Sequence, residues 1–128
     1  MVKLKTIQIK GKEYVTVNER LRYFRENFPN HALISEWVSV TPEYAICRAV
    51  IKNADDKIIA TGTAFEYKND VSSMVNKTSH VENCESSAWG RALANLGIGI
   101  DGGVASAEEV ASAIRKQGET DFMQGMKP

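Results

Sequence analysis

The sequence contains three groups of residues whose types and spacing could support chemistry. The first is His80 and Cys84, which lie four positions apart and would share one face of a helix. Together with Glu82 they could form half of a zinc site of the deaminase type, but the Pro-Cys-x-x-Cys half that such a site needs is absent. We therefore favour a solvated histidine near a helix start and a packed cysteine over a metal site.

The second group is the glycine-rich segment from Gly97 to Gly103. It follows a predicted helix rather than a strand, and it matches neither G-x-G-x-x-G nor the Walker pattern with its lysine. A helix stop is the favoured interpretation over a phosphate-binding loop. No Ser/His/Asp arrangement has a recognisable spacing, and Glu82, which shares a helix with Glu85, is explained as a helix cap. We expect a protein that is not an enzyme and uses no metal or cofactor.

The third group consists of cations. Proteins hold a single nucleic-acid strand with a cationic groove and with aromatic or apolar faces for the bases. Arg91 is the only cation between Thr78 and Ile114, and either a salt bridge to Glu82 or Glu85 or a phosphate contact at a helix–sheet groove would explain it. The candidate DNA-binding residues are Arg91, Arg48, Lys52, Lys68, Lys77, Lys10 and Lys12.

Length and composition limit these possibilities. The chain has 128 residues, of which 43% are hydrophobic and 25% are charged, as is typical of one globular domain and not of a disordered protein. Sixteen basic residues balance sixteen acidic ones, so the net charge does not indicate a nucleic-acid protein. Because the sequence has neither an apolar run long enough to cross a membrane nor a secretory apolar region, we expect a cytoplasmic protein with no membrane partner.

The charge is nevertheless unevenly distributed. Residues 1–25 contain seven Lys or Arg against two acids, residues 1–68 carry a net charge of +3, and residues 69–128 carry −3. This asymmetry permits an anionic partner or head-to-tail self-association. Ordinary solvated faces are the alternative.

Periodicity and capping patterns predict the elements that position these residues. Short β-favouring runs around Lys10-Gly11-Lys12 predict a hairpin. Thr16 and Glu19 form a capping box that opens a helix reaching about Asn27. The apolar face of that helix is Val17, Leu21, Phe24 and Phe28, and the residues that lie off it are Arg20, Arg22 and Arg25.

Three strands are predicted next, at 33–40, 44–52 and 57–67, and the short turns between them indicate an antiparallel meander. Gly62 is interpreted as a bulge or bend. The segment from Lys68 to Lys77 is predicted to be a loop. Ser79 and Glu82 form a second capping box, which opens a long helix that ends at Gly97 and whose small residues would let it lie close to a sheet.

A third capping box at Ser106 predicts a short helix to about Lys116. The predicted fold class is therefore α+β: a helix, a three-stranded antiparallel meander and a long helix, with an N-terminal hairpin and a short C-terminal helix. Residues 1–117 are expected to form a single domain and residues 118–128 a flexible tail.

The segment from Asn83 to Gly99, which contains Ser-Ala-Trp-Gly-Arg-Ala-Leu-Ala-Asn-Leu-Gly, resembles the signature helix of single-strand annealing proteins. These form the Rad-fifty-two superfamily, with phage relatives of the Erf and Sak types, and the predicted order of elements is similar to their β-β-β-α core. By position, Arg91 matches the arginine that faces the DNA groove in that family. Two further family cations are replaced by Gly90 and Ala94.

The resemblance implies a phage-type protein that binds or anneals single-stranded DNA in recombination or replication, in the cytoplasm of a bacterial host, without nucleotide or metal. It also implies a ring or filament homo-oligomer whose partners include phage or host replication and recombination proteins. The alternatives are an OB-fold-like single-strand binding protein and a non-enzymatic phage inhibitor or interaction protein with the same core. The missing cations at Gly90 and Ala94 are the main support for the inhibitor.

Overall fold

The computed structural model describes residues 4–68 and 74–125, and within these ranges it describes the side chains of 4–68 and 79–118. In chain order the elements are β1 (Ile7–Ile9), β2 (Lys12–Tyr14), α1 (Val17–Asn27), β3 (Ala32–Val40), β4 (Tyr44–Lys52), β5 (Ile58–Tyr67), α2 (Met74–Asn95) and α3 (Ala107–Gly125). The strands β1 and β2 form one antiparallel sheet, and β3, β4 and β5 form another in that order. The α+β class is confirmed.

Helix α1 begins where its capping box predicts. The hydroxyl of Thr16 accepts a hydrogen bond from the Glu19 N–H at 3.1 Å, and the Glu108 carboxylate at the start of α3 accepts one from the Val17 N–H at 3.2 Å. Two of the N–H groups that a helix start leaves unpaired are thereby satisfied. Phe24, on the predicted apolar face, is fully buried in the core.

Arg20 departs from the prediction that placed it off the apolar face of α1. Its side chain is fully buried. The guanidinium donates hydrogen bonds to the carbonyl oxygens of Gly90 at 3.2 Å, Gly99 at 3.2 Å and Val104 at 3.0 Å. Arg20 therefore joins α1 to α2 and to the glycine-rich segment, and its charge does not contribute to a surface that an anionic partner could reach.

The three-stranded sheet packs one face against the helices. Alternate residues of β4 on this inner face (Ala45, Cys47, Ala49 and Ile51) are all fully buried. The register shifts between Trp37 and Ser39 on β3 and between Ile51 and Lys52 on β4.

Gly62 does not mark a bulge, and that prediction is wrong. A Cβ at Gly62 would lie 2.3 Å from the backbone nitrogen of Ala92. The glycine therefore lets α2 approach β5 to a distance that no side chain would permit.

Helix α2 confirms the prediction of close packing by small residues, since Ala88 and Ala92 are fully buried. It begins at Met74, so the last part of the loop predicted from Lys68 to Lys77 is helical instead. Residues 69–73 of that predicted loop lie outside the described residues. Ser79 has non-helical angles, φ −154° and ψ 62°, and thus interrupts the helix where a new start is predicted. Gly97 ends it with φ +103°, as expected.

The hairpin does not pair with the three-stranded sheet. It turns at Lys10 and Gly11, which have φ of 49° and 82°, and Val15, just after β2, accepts a hydrogen bond from the Ala107 N–H at 2.9 Å. Helix α3 opens with its capping box, in which the Glu109 N–H donates to the Ser106 hydroxyl at 3.2 Å. It continues beyond the predicted end near Lys116.

Helix α3 is longer than predicted because Gly118 does not end it. A single glycine within a helix costs only about 1 kcal/mol relative to alanine.

The OB-fold alternative is wrong, because the strands of the described ranges form open sheets of two and three strands and α2 follows all of them. No helix in these ranges is long and apolar enough to cross a bilayer.

Candidate nucleic-acid interface

Two predicted site residues lie together on the face of the sheet that points away from the helices, which we call the outer face. Arg48 and Lys52 belong to the series of β4 residues that alternates with the buried inner series. The Arg48 guanidinium is 3.5 Å from the Glu36 carboxylate and the Lys52 ammonium is 3.4 Å from that of Asp56. Both pairs are solvent-exposed and weak, so both cations remain accessible to phosphate.

Arg91 forms a salt bridge, as one of its two interpretations holds, but with a different partner. Its guanidinium donates to the Thr63 carbonyl oxygen at 2.8 Å and lies 3.4 Å from the Glu109 carboxylate. The predicted partners were Glu82 or Glu85. The Arg91 side chain is 48% exposed.

Arg91 also protects a sheet edge. Thr61 and Thr63 turn their carbonyl groups to the free edge of β5, because the alternating residues of β5 bond to β4. Asn95 donates to the Thr61 carbonyl as Arg91 does to that of Thr63. A strand that extended the sheet here would have to displace both side chains, which disfavours this edge as the contact between subunits of the ring or filament implied by the resemblance.

The remaining predicted lysines lie at opposite ends of α2. The Lys68 N–H donates to the Glu43 carbonyl at 2.8 Å, next to the turn where Nε2 of His80 lies 2.9 Å from the Thr41 carbonyl. Lys68 is therefore near the start of α2. Lys77 lies outside the residues whose side chains are described.

Lys10 and Lys12 lie in the hairpin, beyond the other end of α2. The hairpin approaches the segment that follows the helix: a Cβ at Gly99 would contact Val15, and one at Gly102 would lie 2.7 Å from the Glu13 carbonyl oxygen. The predicted site residues thus form separate groups and not one continuous groove.

Sequence reasoning missed the aromatic side chains of the outer face. Phe65 and Tyr67 are 45% and 57% exposed. The signal was present in β5, where Ala60, Gly62 and Ala64 alternate with larger residues. Small residues at every second position mark the side on which a helix lies close, so the alternating aromatic rings must face solvent.

His80 and Cys84, the pair that could have formed half of a zinc site, are packing residues. Cys84 is fully buried, and its Sγ lies within hydrogen-bond distance of the carbonyl oxygens of Ala45 at 3.3 Å and Ala64 at 3.4 Å. His80 is half-buried and bound to Thr41 rather than freely solvated. Within the described ranges, no three His, Cys, Asp or Glu residues are grouped so that they could hold a metal ion.

We expect both cysteines to resist alkylation in the folded chain. Burial raises the pKa of the Cys84 thiol to about 11 and also raises that of Cys47, and the thiolate is the reactive form. Iodoacetamide at pH 8 should therefore label the native protein on the order of 100-fold more slowly than the urea-unfolded protein. Mass spectrometry of timed samples measures the difference, and equal rates would contradict it.

The glycine-rich segment borders a cavity of about 900 Å³. Its walls include Lys12 and Tyr14 from the hairpin and Tyr23 from α1, but also the acidic residues Glu13 and Asp101. The two carboxylates offset the single lysine, so the cavity does not favour a phosphate group. Helix termination remains the role of the segment.

Residues 21–96 match the model of the Slr1353 N-terminal dsRNA-binding domain-like family. The chain belongs to this family. The match begins within α1 and ends one residue after α2, so the Slr1353 N-terminal family corresponds to the helix–sheet–helix unit, while the hairpin and α3 lie outside it. No curated protein and no solved structure gave a significant match to the chain.

Membership of the Slr1353 N-terminal family overturns the resemblance to the Rad-fifty-two superfamily. The misleading residues were the small ones of α2, and packing explains them. A Cβ at Gly90 would lie 2.8 Å from Cγ2 of Val17, and Ala92 meets Gly62. Any helix packed this closely needs such residues. The family description suggests nucleic-acid binding in general and supports neither phage recombination nor a homo-oligomer.

Proposed function

We propose that this chain binds nucleic acid, with duplex RNA as its preferred ligand, and that it does so without catalysis or a cofactor. The family match over residues 21–96 carries the proposal. Domains that bind double-stranded RNA recognise its shape through phosphate and 2′-hydroxyl contacts. Such recognition requires cations at separated positions rather than a pocket that reads bases.

The arrangement of the lysines supports an extended ligand. Lys68 lies near the start of α2, whereas Lys10 and Lys12 lie beyond its end. Between His80 and Asn95 the helix is about 22 Å long, at roughly 1.5 Å per residue. None of these three lysines forms an ion pair with an acidic side chain that the structure describes. A ligand that contacts successive grooves of a duplex could reach both groups.

Fluorescence anisotropy with a labelled RNA duplex of about 20 base pairs tests the proposal, since binding domains of this class span about 16. A DNA duplex of the same sequence is the comparison. We expect tighter binding to RNA and an association constant whose logarithm falls linearly with the logarithm of the salt concentration. Lys68→Ala and Lys10→Ala should each weaken binding and reduce the salt slope by about one.

Lys57→Ala is the matched control, because Lys57 is an exposed lysine of the β4–β5 turn that is not one of the three proposed contacts. Its binding should equal that of the unmodified chain. The proposal fails if the chain has no affinity for duplex RNA at low salt, or if DNA binds as tightly as RNA. Failure with every nucleic acid would favour the interaction protein instead.

A further inference from the structure

The outer face carries an aromatic row, Tyr44, Phe65 and Tyr67, that duplex binding through the lysines does not use. The rings of Tyr44 and Phe65 stack with centroids 5.8 Å apart and planes at 27°. Phe65 and Tyr67 meet edge to face, with centroids 4.5 Å apart and planes at 86°. The rings therefore hold one another in place on a rigid sheet while Phe65 and Tyr67 remain about half exposed.

The charges around the aromatic row are complementary to a polyanion. On β4 and β5, which are described completely, the outward series contain the cations Arg48 and Lys52 and no carboxylate. Arg48 lies opposite Thr63 in the register, and Arg91 reaches the Thr63 carbonyl from the edge of the sheet. Two half-exposed guanidinium groups thus flank the strand that carries Phe65.

We propose that the outer face binds single-stranded nucleic acid, with unpaired bases stacked on Phe65 and Tyr67 and with phosphates contacted by Arg48, Arg91 and Lys52. Every base has a flat π face, so this stacking tolerates any sequence. The Glu36 carboxylate beside Arg48 is itself exposed, and a phosphate can replace it at little cost.

This surface is distinct from the proposed duplex contacts. The outer face lies on the side of the sheet opposite α1 and α2, whereas the lysines lie at the two ends of α2. The inference therefore goes beyond duplex binding and does not depend on it. A chain with both surfaces would bind a duplex next to a single-stranded flank.

The test uses the full chain and a fluorescein-labelled ten-nucleotide oligouridine, with anisotropy measured at low salt. The unmodified chain should bind the probe. Phe65→Ala and Tyr67→Ala should each weaken binding about tenfold, since each removes a stacking ring. Tyr67→Phe keeps the ring and should bind normally. Ile58→Ala is the matched control, because Ile58 is an equally exposed apolar residue at the other end of β5.

The outcomes separate the two proposals. Loss of oligouridine binding in Phe65→Ala and Tyr67→Ala, with duplex RNA binding unchanged, supports the outer face as a separate site. Duplex binding that fails while oligouridine still binds would overturn only the proposed function. The inference is overturned if the unmodified chain does not bind oligouridine, or if the ring variants bind it normally. Dimerisation that these variants abolish, without oligouridine binding, would instead assign the face to a second copy of the chain.

Discussion

Replacing Arg20 with methionine is expected to lower the free energy of unfolding by about 4 kcal/mol. The substitution removes the donor that the carbonyl groups of Gly90, Gly99 and Val104 share, the first of them buried and the other two partly buried. A buried polar group left without a partner costs about 1–3 kcal/mol, and a domain of this size is stable by only about 5–15 kcal/mol. Urea denaturation followed by circular dichroism measures the loss.

Two matched variants show whether the hydrogen bonds are responsible. Arg20→Lys retains the charge, but a single ammonium does not reproduce the planar fork that reaches three carbonyl groups, so we expect only partial recovery of stability. Arg25→Met removes an exposed arginine of the same helix, whose guanidinium lies over the Phe24 ring at 5.7 Å from its centroid. It should change stability by less than about 1 kcal/mol. If Arg20→Met is equally mild, the three hydrogen bonds do not stabilise the fold.

Replacing Gly62 with valine is expected to lower the free energy of unfolding by about 3 kcal/mol or to prevent folding. Even the Cβ atom would lie 2.3 Å from the Ala92 nitrogen and 2.7 Å from Cβ of Arg91. Backbone atoms cannot yield as a flexible side chain can, so α2 would have to move away from β5. That movement would also break the hydrogen bond from Arg91 to the Thr63 carbonyl. Chemical denaturation of the purified variant tests the expectation.

Gly118→Ala is the control for the valine substitution. A Cβ at Gly118 meets nothing within 4 Å. Alanine in place of glycine stabilises an exposed helix by about 1 kcal/mol. This variant should therefore be slightly more stable than the unmodified chain. A Gly62→Val protein that unfolds at the same urea concentration as the unmodified chain would show that α2 does not pack on β5 so closely.

Much of the candidate site depends on contacts that local patterns do not encode. The side-chain alternation of β4 places Arg48 and Lys52 on one face, and this was accessible from the sequence. The partners of Arg91 were not, because Thr63 and Glu109 lie 28 and 18 positions away along the chain. The resemblance of α2 to an annealing helix failed for a related reason: small residues report how closely a helix packs and not what the protein binds.

The sequence by itself determined the features that arise within a few residues. The cap residues Thr16 and Ser106 start α1 and α3, Gly97 ends α2, and the bounds of β4 are those predicted. Each depends on hydrogen bonds or backbone angles between near neighbours, which local residue types specify.

Only the tertiary structure decided which arginine of α1 is buried and which element covers the small-residue side of β5. Arg20, one of several similar arginines on α1, is buried because three distant carbonyl groups converge on it. Phe65 is exposed because α2 occupies the opposite side of β5 through Gly62. Such outcomes depend on the packing of elements far apart in the chain, and therefore on geometry that no single segment contains.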